Sequence, residues 1–447
     1  MLPGQPGYDE ARRIHNGMID KHPAMIVRCA GVADVISAVR FARKEGIVAS
    51  VRGTGHNVAG FSLCDDGLVI DLSAMKGIHA NPAARTARVE PGVTWGELNH
   101  ELQAFDLAAT GGFVGTTGVG GLTLGGVWVG WSANAVALWT TCSPQMWSPP
   151  TANFAGPVRP SIRIYFGGFA AAAEISVSSR PSSFRCNPAG TVLAGLVLHP
   201  LSKGREAVRF WREYEKTAPE DMTNGVVIFN APAELPVSDV LRREAIVSMG
   251  GVYIGPLEEG ERLLRPLREF GPPAADIYQR MPYSAAQGMA DFLWPKGLYG
   301  YWKSSFLKSL SDGALDTILE YYGKTPPPRT VIVIEHNGNS AWSRVPDDAT
   351  AFRHRNWPYN LVVTTLWTDK ADTDANIRWT RQLWEAMHPY LADAAYFNYL
   401  GEVGEEEIRL AYGKKYQRLA ALKEKYDPTN FFSMNQNIKP GRAAASS

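Results

Sequence analysis

Two glycine-rich stretches in the first third of the chain contain the residues best suited to hold an anionic ligand. The first, SVRGTGHNVAG at 50–60, sets Gly53, Gly55 and Gly60 around an arginine and a histidine. Glycine permits positive φ, so backbone N–H groups can converge on an anion such as a pyrophosphate. Val58 stands where the dinucleotide fingerprint G-x-G-x-x-G needs its third glycine, so a Rossmann site is weakly indicated. A glycine-rich turn with a structural histidine is the alternative.

The second stretch, GGFVGTTGVGGLTLGG at 111–126, has eight glycines in sixteen positions. They alternate with Val, Thr and Leu, whereas a flexible linker would be polar. This composition favours an ordered, buried backbone that approaches something flat or anionic closely, because side chains there would collide with it. The pattern therefore predicts a cofactor cradle, with tight backbone packing as the alternative.

Polar side chains that could act on a substrate come later in the chain. In AAYFNYLGEVGEE, Tyr396 and Asn398 are two apart on a predicted strand, which puts them on one face and Tyr399 on the other. A core aromatic strand is the alternative. Glu335 and His336 end the predicted strand TVIVIEHNG, where they could line a pocket wall or simply lie on the surface.

The predicted strands and helices that position these residues indicate an α+β protein. A strand, a helix and a strand over 25–52 predict a parallel crossover, and Thr94 with Glu97 predicts a capping box at a helix start. Strands and amphipathic helices alternate from 194 to 394, as in an antiparallel sheet covered on one side. Apolar residues on one helical face follow before Asp427-Pro428.

Composition excludes several functional classes. The chain has 447 residues, with 45 Lys and Arg against 44 Asp and Glu, so no basic surface for nucleic acid is indicated. No apolar run has the length of a membrane span, and a cytoplasmic location is expected. The four cysteines lack metal-ligand spacing, and no nucleophile elbow or Walker phosphate loop occurs. An organic cofactor acting on a small-molecule substrate is the remaining expectation.

Four ordered blocks together resemble the bacterial flavin-linked oxidases of the berberine-bridge-enzyme-like group, within the vanillyl-alcohol-oxidase fold. The blocks are VRGTGHNVAGFSLCDDGLVIDLSAMKGI, ARVEPGVTWGELNHEL, GGFVGTTGVGGLTLGG and YDPTNFFSMNQNIKP. The resemblance implies a two-domain PCMH-type FAD-binding fold. It predicts an FAD-binding domain at 1–193, a substrate domain at 194–394 and a C-terminal segment, 395–447, that returns to the FAD domain.

The resemblance also implies how FAD is held. The family's R-G-x-G-H histidine, here His56, is joined covalently to a methyl carbon of the flavin ring. Some relatives form a second bond through a cysteine where this chain has Val114, so one linkage is expected. Amides of Met434–Pro440 suit a flavin ring edge, although a polar turn is the alternative. The predicted cofactor-binding residues are Arg52, Gly53, Thr54, Gly55, His56, Asn57, Val114, Gly115, Thr116, Thr117, Gly118, Gly120, Gly121, Asn435 and Asn437.

For catalysis, the resemblance implies oxidation of a CH–OH or CH–NH carbon by hydride transfer to flavin, with O₂ as the expected acceptor. Tyr396 is predicted to take the substrate proton, beside Asn398 and with Tyr399 as the alternative base. A phenol titrates near 10, so it needs help to act at neutral pH. A dehydrogenase that uses another acceptor, and an inactive product, stay as rival interpretations.

The inactive product follows from one unusual segment, Val127 to Pro188, which contains one acid, no lysine and four tryptophans. Relatives carry Arg-Gly-Gly-Gly-Gly-Asn-Phe-Gly-Val-Val-Thr here. Allowed codons for Phe169–Arg180, read one nucleotide earlier, encode that block. We therefore predict that 127–187 is translated out of frame, with a divergent insertion as the alternative. Its prolines suit no central strand.

Overall fold

The computed structural model describes residues 1–125, 182–232, 237–324, 327–336, 343, 355–394, 396–401 and 403–441. Residues 127–181 of the unusual segment therefore lie outside the described residues. Within the described ranges, no helix combines the length and the apolarity needed to cross a bilayer.

Helices and strands alternate along the described chain. The α-helices are α1 Tyr8–Ala11, α2 Val32–Lys44, α3 Trp95–Gln103, α4 Val119–Leu124, α5 Gly204–Tyr214, α6 Asp239–Arg243, α7 Leu257–Glu269, α8 Tyr283–Gln287, α9 Asp312–Gly323, α10 Thr373–Met387, α11 Glu405–Tyr412 and α12 Tyr416–Tyr426. The strands are β1 Met25–Arg28, β2 Ala49–Arg52, β3 Leu68–Asp71, β4 Ile78–Asn81, β5 Thr86–Val89, β6 Leu107–Ala108, β7 Ser182–Arg185, β8 Asn187–Pro188, β9 Thr191–Pro200, β10 Met222–Phe229, β11 Ile246–Tyr253, β12 Ala275–Asp276, β13 Gln279–Pro282, β14 Tyr299–Leu307, β15 Arg329–His336 and β16 Tyr359–Trp367. The α+β prediction is confirmed.

The N-terminal part contains a small parallel sheet in the order β1-β3-β2. Both β1 and β2 pair in parallel with β3, so the predicted crossover is present but with a third strand between its two strands. Side chains of α2 and the strands form one buried cluster, which Phe432 from the C-terminal segment joins. The strand β2 leads directly into the first glycine-rich stretch, which fixes where that stretch begins.

The second small sheet has the order β4-β5-β7 and is antiparallel. The helix α3 packs behind it, and its N-cap residue is Thr94, whose side chain accepts a hydrogen bond from the Glu97 N–H. This confirms the predicted capping box. Phe184 on β7 is fully buried against Trp95, with ring centroids 5.7 Å apart. Phe184, which falls within the predicted out-of-frame segment, is thus part of the folded core.

The large sheet has eight strands among the described residues, in the order β12-β9-β11-β10-β15-β16-β14, with β13 also paired to β9. Every pair is antiparallel, as predicted. One face packs against α5, α7, α9 and α10 through the largest buried cluster. The predicted domain boundary between 193 and 194 falls inside β9. This strand is continuous from Thr191 to Pro200 and pairs with β11 and β13.

The C-terminal segment forms α11 and α12, separated by a 3-10 turn over Gly413–Lys415. The predicted apolar face is buried, and the second helix ends before Asp427. Lys423 is fully buried, with its Nζ 2.7 Å from Asp427 Oδ2, and it donates to the Phe432 carbonyl. Asp427 in turn accepts from the Phe431 and Phe432 N–H groups. This network fixes the end of the chain against the parallel sheet.

Candidate active site

One cleft joins the glycine-rich stretches to the large sheet. It encloses about 1260 Å³, including the part that opens to solvent. One side is formed by 53–58 and 112–124, and the other by side chains of β14, β15, β16 and the 396–399 segment. Of the predicted cofactor residues, the cleft brings together Gly53, Thr54, Gly55, His56, Asn57, Val114, Thr117, Gly118, Gly120 and Gly121.

His56 lies between the two glycine-rich stretches. Its Nδ1 is 3.4 Å from Thr117 Oγ1, and its ring centroid is 4.0 Å from that of His15. Burial, then His15 and Lys296, lowers the pKa of His56 well below its usual value. The imidazole is therefore neutral at physiological pH and keeps a nitrogen lone pair, which bond formation to an electrophilic carbon requires.

Three glycines of the two stretches are required, or allowed, for different reasons. Gly55 has φ +81°, a conformation that L side chains rarely adopt. A Cβ at Gly118 would lie 2.5 Å from Thr54 Oγ1, so this glycine serves packing within the protein. Gly121 is an exposed residue of the cleft lining, and a Cβ there would meet no atom of the described chain within 4 Å. The absence of a side chain at Gly121 is therefore unexplained by packing and leaves room for a ligand.

Polar groups form a hydrogen-bonded row across three strands on the opposite wall. Ser304 on β14 donates to Asn360 on β16, and the Asn360 Nδ2 donates to Glu335 Oε2 on β15 at 2.7 Å. The Tyr399 hydroxyl donates to Glu335 Oε1 at 3.1 Å. Glu335 is 4% exposed, and Tyr399 lines the cleft in front of it. The row thus ends with a phenol that faces the cleft and contacts a buried carboxylate.

The electrostatics of Tyr399 bear on what it can do. Burial, then the charge of Glu335 and the neighbouring Tyr396, raises the pKa of Tyr399 well above its usual value. The phenol is therefore protonated at neutral pH, and a preformed phenolate is disfavoured. It can still pass a proton, since its own hydrogen already points to a carboxylate oxygen.

The segment 396–399 differs from its predicted form. Residues Phe397–Tyr399 form a 3-10 turn, so the predicted strand is wrong and positions two apart do not share a face. Tyr396 is 1% exposed and lies behind the cleft, where its hydroxyl accepts from Asn398 Nδ2 at 2.7 Å. Asn398 and Tyr399 line the cleft. The turn begins after Tyr396, so Asn398 and Tyr399 face the cleft together while Tyr396 stays buried behind them.

The remaining predicted cofactor residues do not line the cleft. Arg52 is buried in an ion pair with Asp71, with Nη2 2.5 Å from Oδ2, so its side chain serves the fold. The Gly115 N–H donates to Asp291 Oδ1 at 2.6 Å, and Thr116 is exposed. Asn435 donates to the Phe432 carbonyl, and both Asn435 and Asn437 carry a buried side-chain oxygen without a hydrogen-bond partner among the described residues.

Sequence reasoning missed other cleft residues, notably His15, Trp294, Trp302 and Thr364. His15 is 279 positions from Trp294, to whose carbonyl its Nε2 hydrogen-bonds at 3.0 Å. Glu335 was noticed only as a strand end, and alternation along β15 directs the neighbouring His336 to the other face, against Glu215. Only pairing of distant segments reveals these positions.

Comparison with known proteins agrees with this arrangement. The family model described as an FAD binding domain matches residues 23–135, and the model described as berberine and berberine like matches 395–439. An FAD-linked oxidoreductase of Dictyostelium discoideum is 29% identical over 425 residues, covering 94% of this chain and 89% of that protein. Berberine bridge enzyme-like 17 of Arabidopsis thaliana is 25% identical, covering 94% and 85%.

Among solved structures, 6-hydroxy-D-nicotine oxidase from Arthrobacter nicotinovorans superposes with a TM-score of 0.84 at 22% identity, covering 99% of this chain and 97% of that one. This likeness extends over the small sheets, the large sheet and the C-terminal helices, and it confirms the PCMH-type fold. With a match to an FAD binding domain at 23–135 and to a berberine-like segment at 395–439, the chain is similar along most of its length to berberine-bridge-enzyme-like FAD-linked oxidoreductases.

Proposed function

We propose that this FAD-linked oxidoreductase oxidises a CH–OH or CH–NH carbon of a small molecule, with the flavin attached through His56. The observation that carries the proposal is the Tyr399 hydroxyl, which lines the cleft opposite the glycine-rich stretches and donates to the buried Glu335 carboxylate. When bound, the flavin supplies the acceptor for the substrate hydride, and O₂ then takes the two electrons to give hydrogen peroxide.

The protein's own residues handle the proton. A substrate hydroxyl donates to the Tyr399 oxygen as the phenol passes its hydrogen to Glu335, so the substrate becomes a carbonyl compound and the carboxylate becomes a carboxylic acid. This relay needs no phenolate, which agrees with the raised pKa of Tyr399. Asn360 holds the other carboxylate oxygen and fixes the orientation of Glu335. We therefore assign proton transfer to Tyr399 with Glu335, in place of Tyr396.

His56 has the protonation state that a flavin tether requires. It is neutral, buried and beside Thr117, whose hydroxyl can orient the ring. Val114 lines the cleft with an inert side chain, which supports a single linkage. Attachment through an electron-withdrawing imidazole would retain the cofactor and favour its reduction.

The visible spectrum before and after acid precipitation tests this proposal. We expect yellow protein whose flavin stays in the acid pellet, and a His56→Ala variant whose flavin washes out. His79→Ala, at an exposed histidine on β4, is the matched control and should retain it. Colour lost from the wild type in acid would disprove the tether, and colourless protein would disprove flavin binding and favour the inactive product.

Peroxide release during turnover separates the oxidase from its rival. An oxidase releases hydrogen peroxide in proportion to substrate consumed, whereas a dehydrogenase reduces a dye carrier and leaves oxygen unconsumed.

A further inference from the structure

The sheet-side wall of the cleft is apolar and aromatic. Val333 and Val362 come from neighbouring strands, and Trp302 lies on the next strand. Trp294 also lines the cleft, and its ring centroid is 5.3 Å from that of Phe113 on the glycine-rich side. Burial of apolar ligand surface against this wall is therefore favourable.

Formal charge is scarce on this wall. The cleft-lining residues in the described part of the chain include no Asp, Glu, Lys or Arg. Glu335 lies behind Tyr399, and His15 already uses its Nε2 on the Trp294 carbonyl. A charged substrate group would lose its hydration on this wall without gaining a counter-charge, so its binding is disfavoured.

One buried hydroxyl on the wall has no hydrogen-bond partner among the described residues. Thr364 is fully buried, lies on the central strand β16 and lines the cleft. The next residue, Thr365, points to the other face and bonds to Thr380 Oγ1 at 2.9 Å. An unpaired buried hydroxyl destabilises the protein, and a ligand group that hydrogen-bonds to Thr364 would remove that penalty.

We infer that the substrate is a neutral, mainly apolar or aromatic alcohol, whose reacting hydroxyl binds Tyr399 and whose second neutral polar group binds Thr364. This inference rests on the proposed function. A sugar fits poorly, because each of its several hydroxyls would need a partner and the wall offers few. Thr364 is thus a specificity-determining residue, distinct from the proton relay.

Anaerobic bleaching of the flavin tests the substrate class on the flavin-loaded protein. The panel contains benzyl alcohol, meta- and para-hydroxybenzyl alcohol, para-carboxybenzyl alcohol, glucose and cellobiose. We expect a hydroxybenzyl alcohol to bleach the flavin fastest. Faster bleaching by a sugar or the carboxylate, or none by any neutral alcohol, would overturn the inference while flavin binding still stood. Wild-type protein without flavin would overturn the proposed function as well.

Binding calorimetry tests Thr364 without turnover, using benzaldehyde and the two hydroxybenzaldehydes as probes. Thr364→Val should weaken the tighter hydroxybenzaldehyde about ten- to a hundredfold and leave benzaldehyde unchanged, since only the former loses a hydrogen bond. Thr364→Ser should restore the affinity. Thr330→Val is the matched control. The Thr330 side chain is equally buried and its hydroxyl also has no hydrogen-bond partner among the described residues, but it does not line the cleft. Equal weakening of all three aldehydes in Thr364→Val would refute the assignment.

Discussion

Replacing Glu335 by glutamine should nearly abolish substrate oxidation while leaving the fold and the flavin in place. The carboxylate accepts from the Tyr399 hydroxyl at 3.1 Å and from Asn360 Nδ2 at 2.7 Å. A glutamine can keep the Asn360 bond with its oxygen and turn its amide nitrogen to the Tyr399 oxygen. Both hydrogen bonds are then kept, but Tyr399 accepts where it donated before. The loss of stability should therefore be small.

The rate effect follows from the missing proton acceptor. An amide cannot accept the phenol proton, and positioned general bases contribute about 10²- to 10⁴-fold, so the anaerobic bleaching rate should fall by that factor. Removing the Glu335 charge also lowers the pKa of Tyr399 toward its ordinary value, since that charge helps raise it. Some activity should therefore return in strongly alkaline solution, where the variant's phenol begins to ionise.

Stopped-flow bleaching, with the hydroxybenzyl alcohol that the wild type prefers, measures the effect. Glu215→Gln is the matched control, because Glu215 is also 4% exposed and bonds to His336 Nδ1, but on the other face of the large sheet. Its bleaching rate should match the wild type. A Glu335→Gln rate equal to the wild type, or an equal loss in Glu215→Gln, would refute the relay.

Two other predictions concern the cradle and the C-terminal segment. Gly121→Ala should fold with an unchanged melting temperature but purify with less flavin, because Gly121 lines the cleft and the added methyl group meets no described atom within 4 Å; equal flavin content would show that the cofactor does not pack against Gly121. Asp427→Ala should lower the free energy of unfolding, measured in urea, by about 3–5 kcal/mol, because it leaves the buried Lys423 ammonium without its counter-charge. Adding Lys423→Met should recover much of that loss, and a purely additive double variant would argue against the ion pair.

Sequence predicted best what is local. The capping box depends on Thr94 and Glu97 alone, and the strand, helix and strand over 25–52 depend on short apolar patterns; the structure contains both. The site's proton relay could not be read this way. Tyr399 and Glu335 are 64 positions apart and meet only because β15 and the 396–399 turn adjoin the same cleft. Aromatic alternation at 396–399 suggested a strand, but packing selected a turn.

The unusual segment at 127–187 also shows that composition alone does not predict strand pairing. Its composition differs from the rest of the chain up to about residue 181, yet β7 pairs in register with β5 and buries Phe184 beside Trp95. The out-of-frame reading of 127–187 stays a prediction, and its last residues include β7. A frame-restored gene should yield protein with a higher flavin content, because the restored Arg-Gly-Gly-Gly-Gly-Asn-Phe block would follow the cradle. Codons in the natural gene that cannot be regrouped to encode that block would instead make the segment a true insertion.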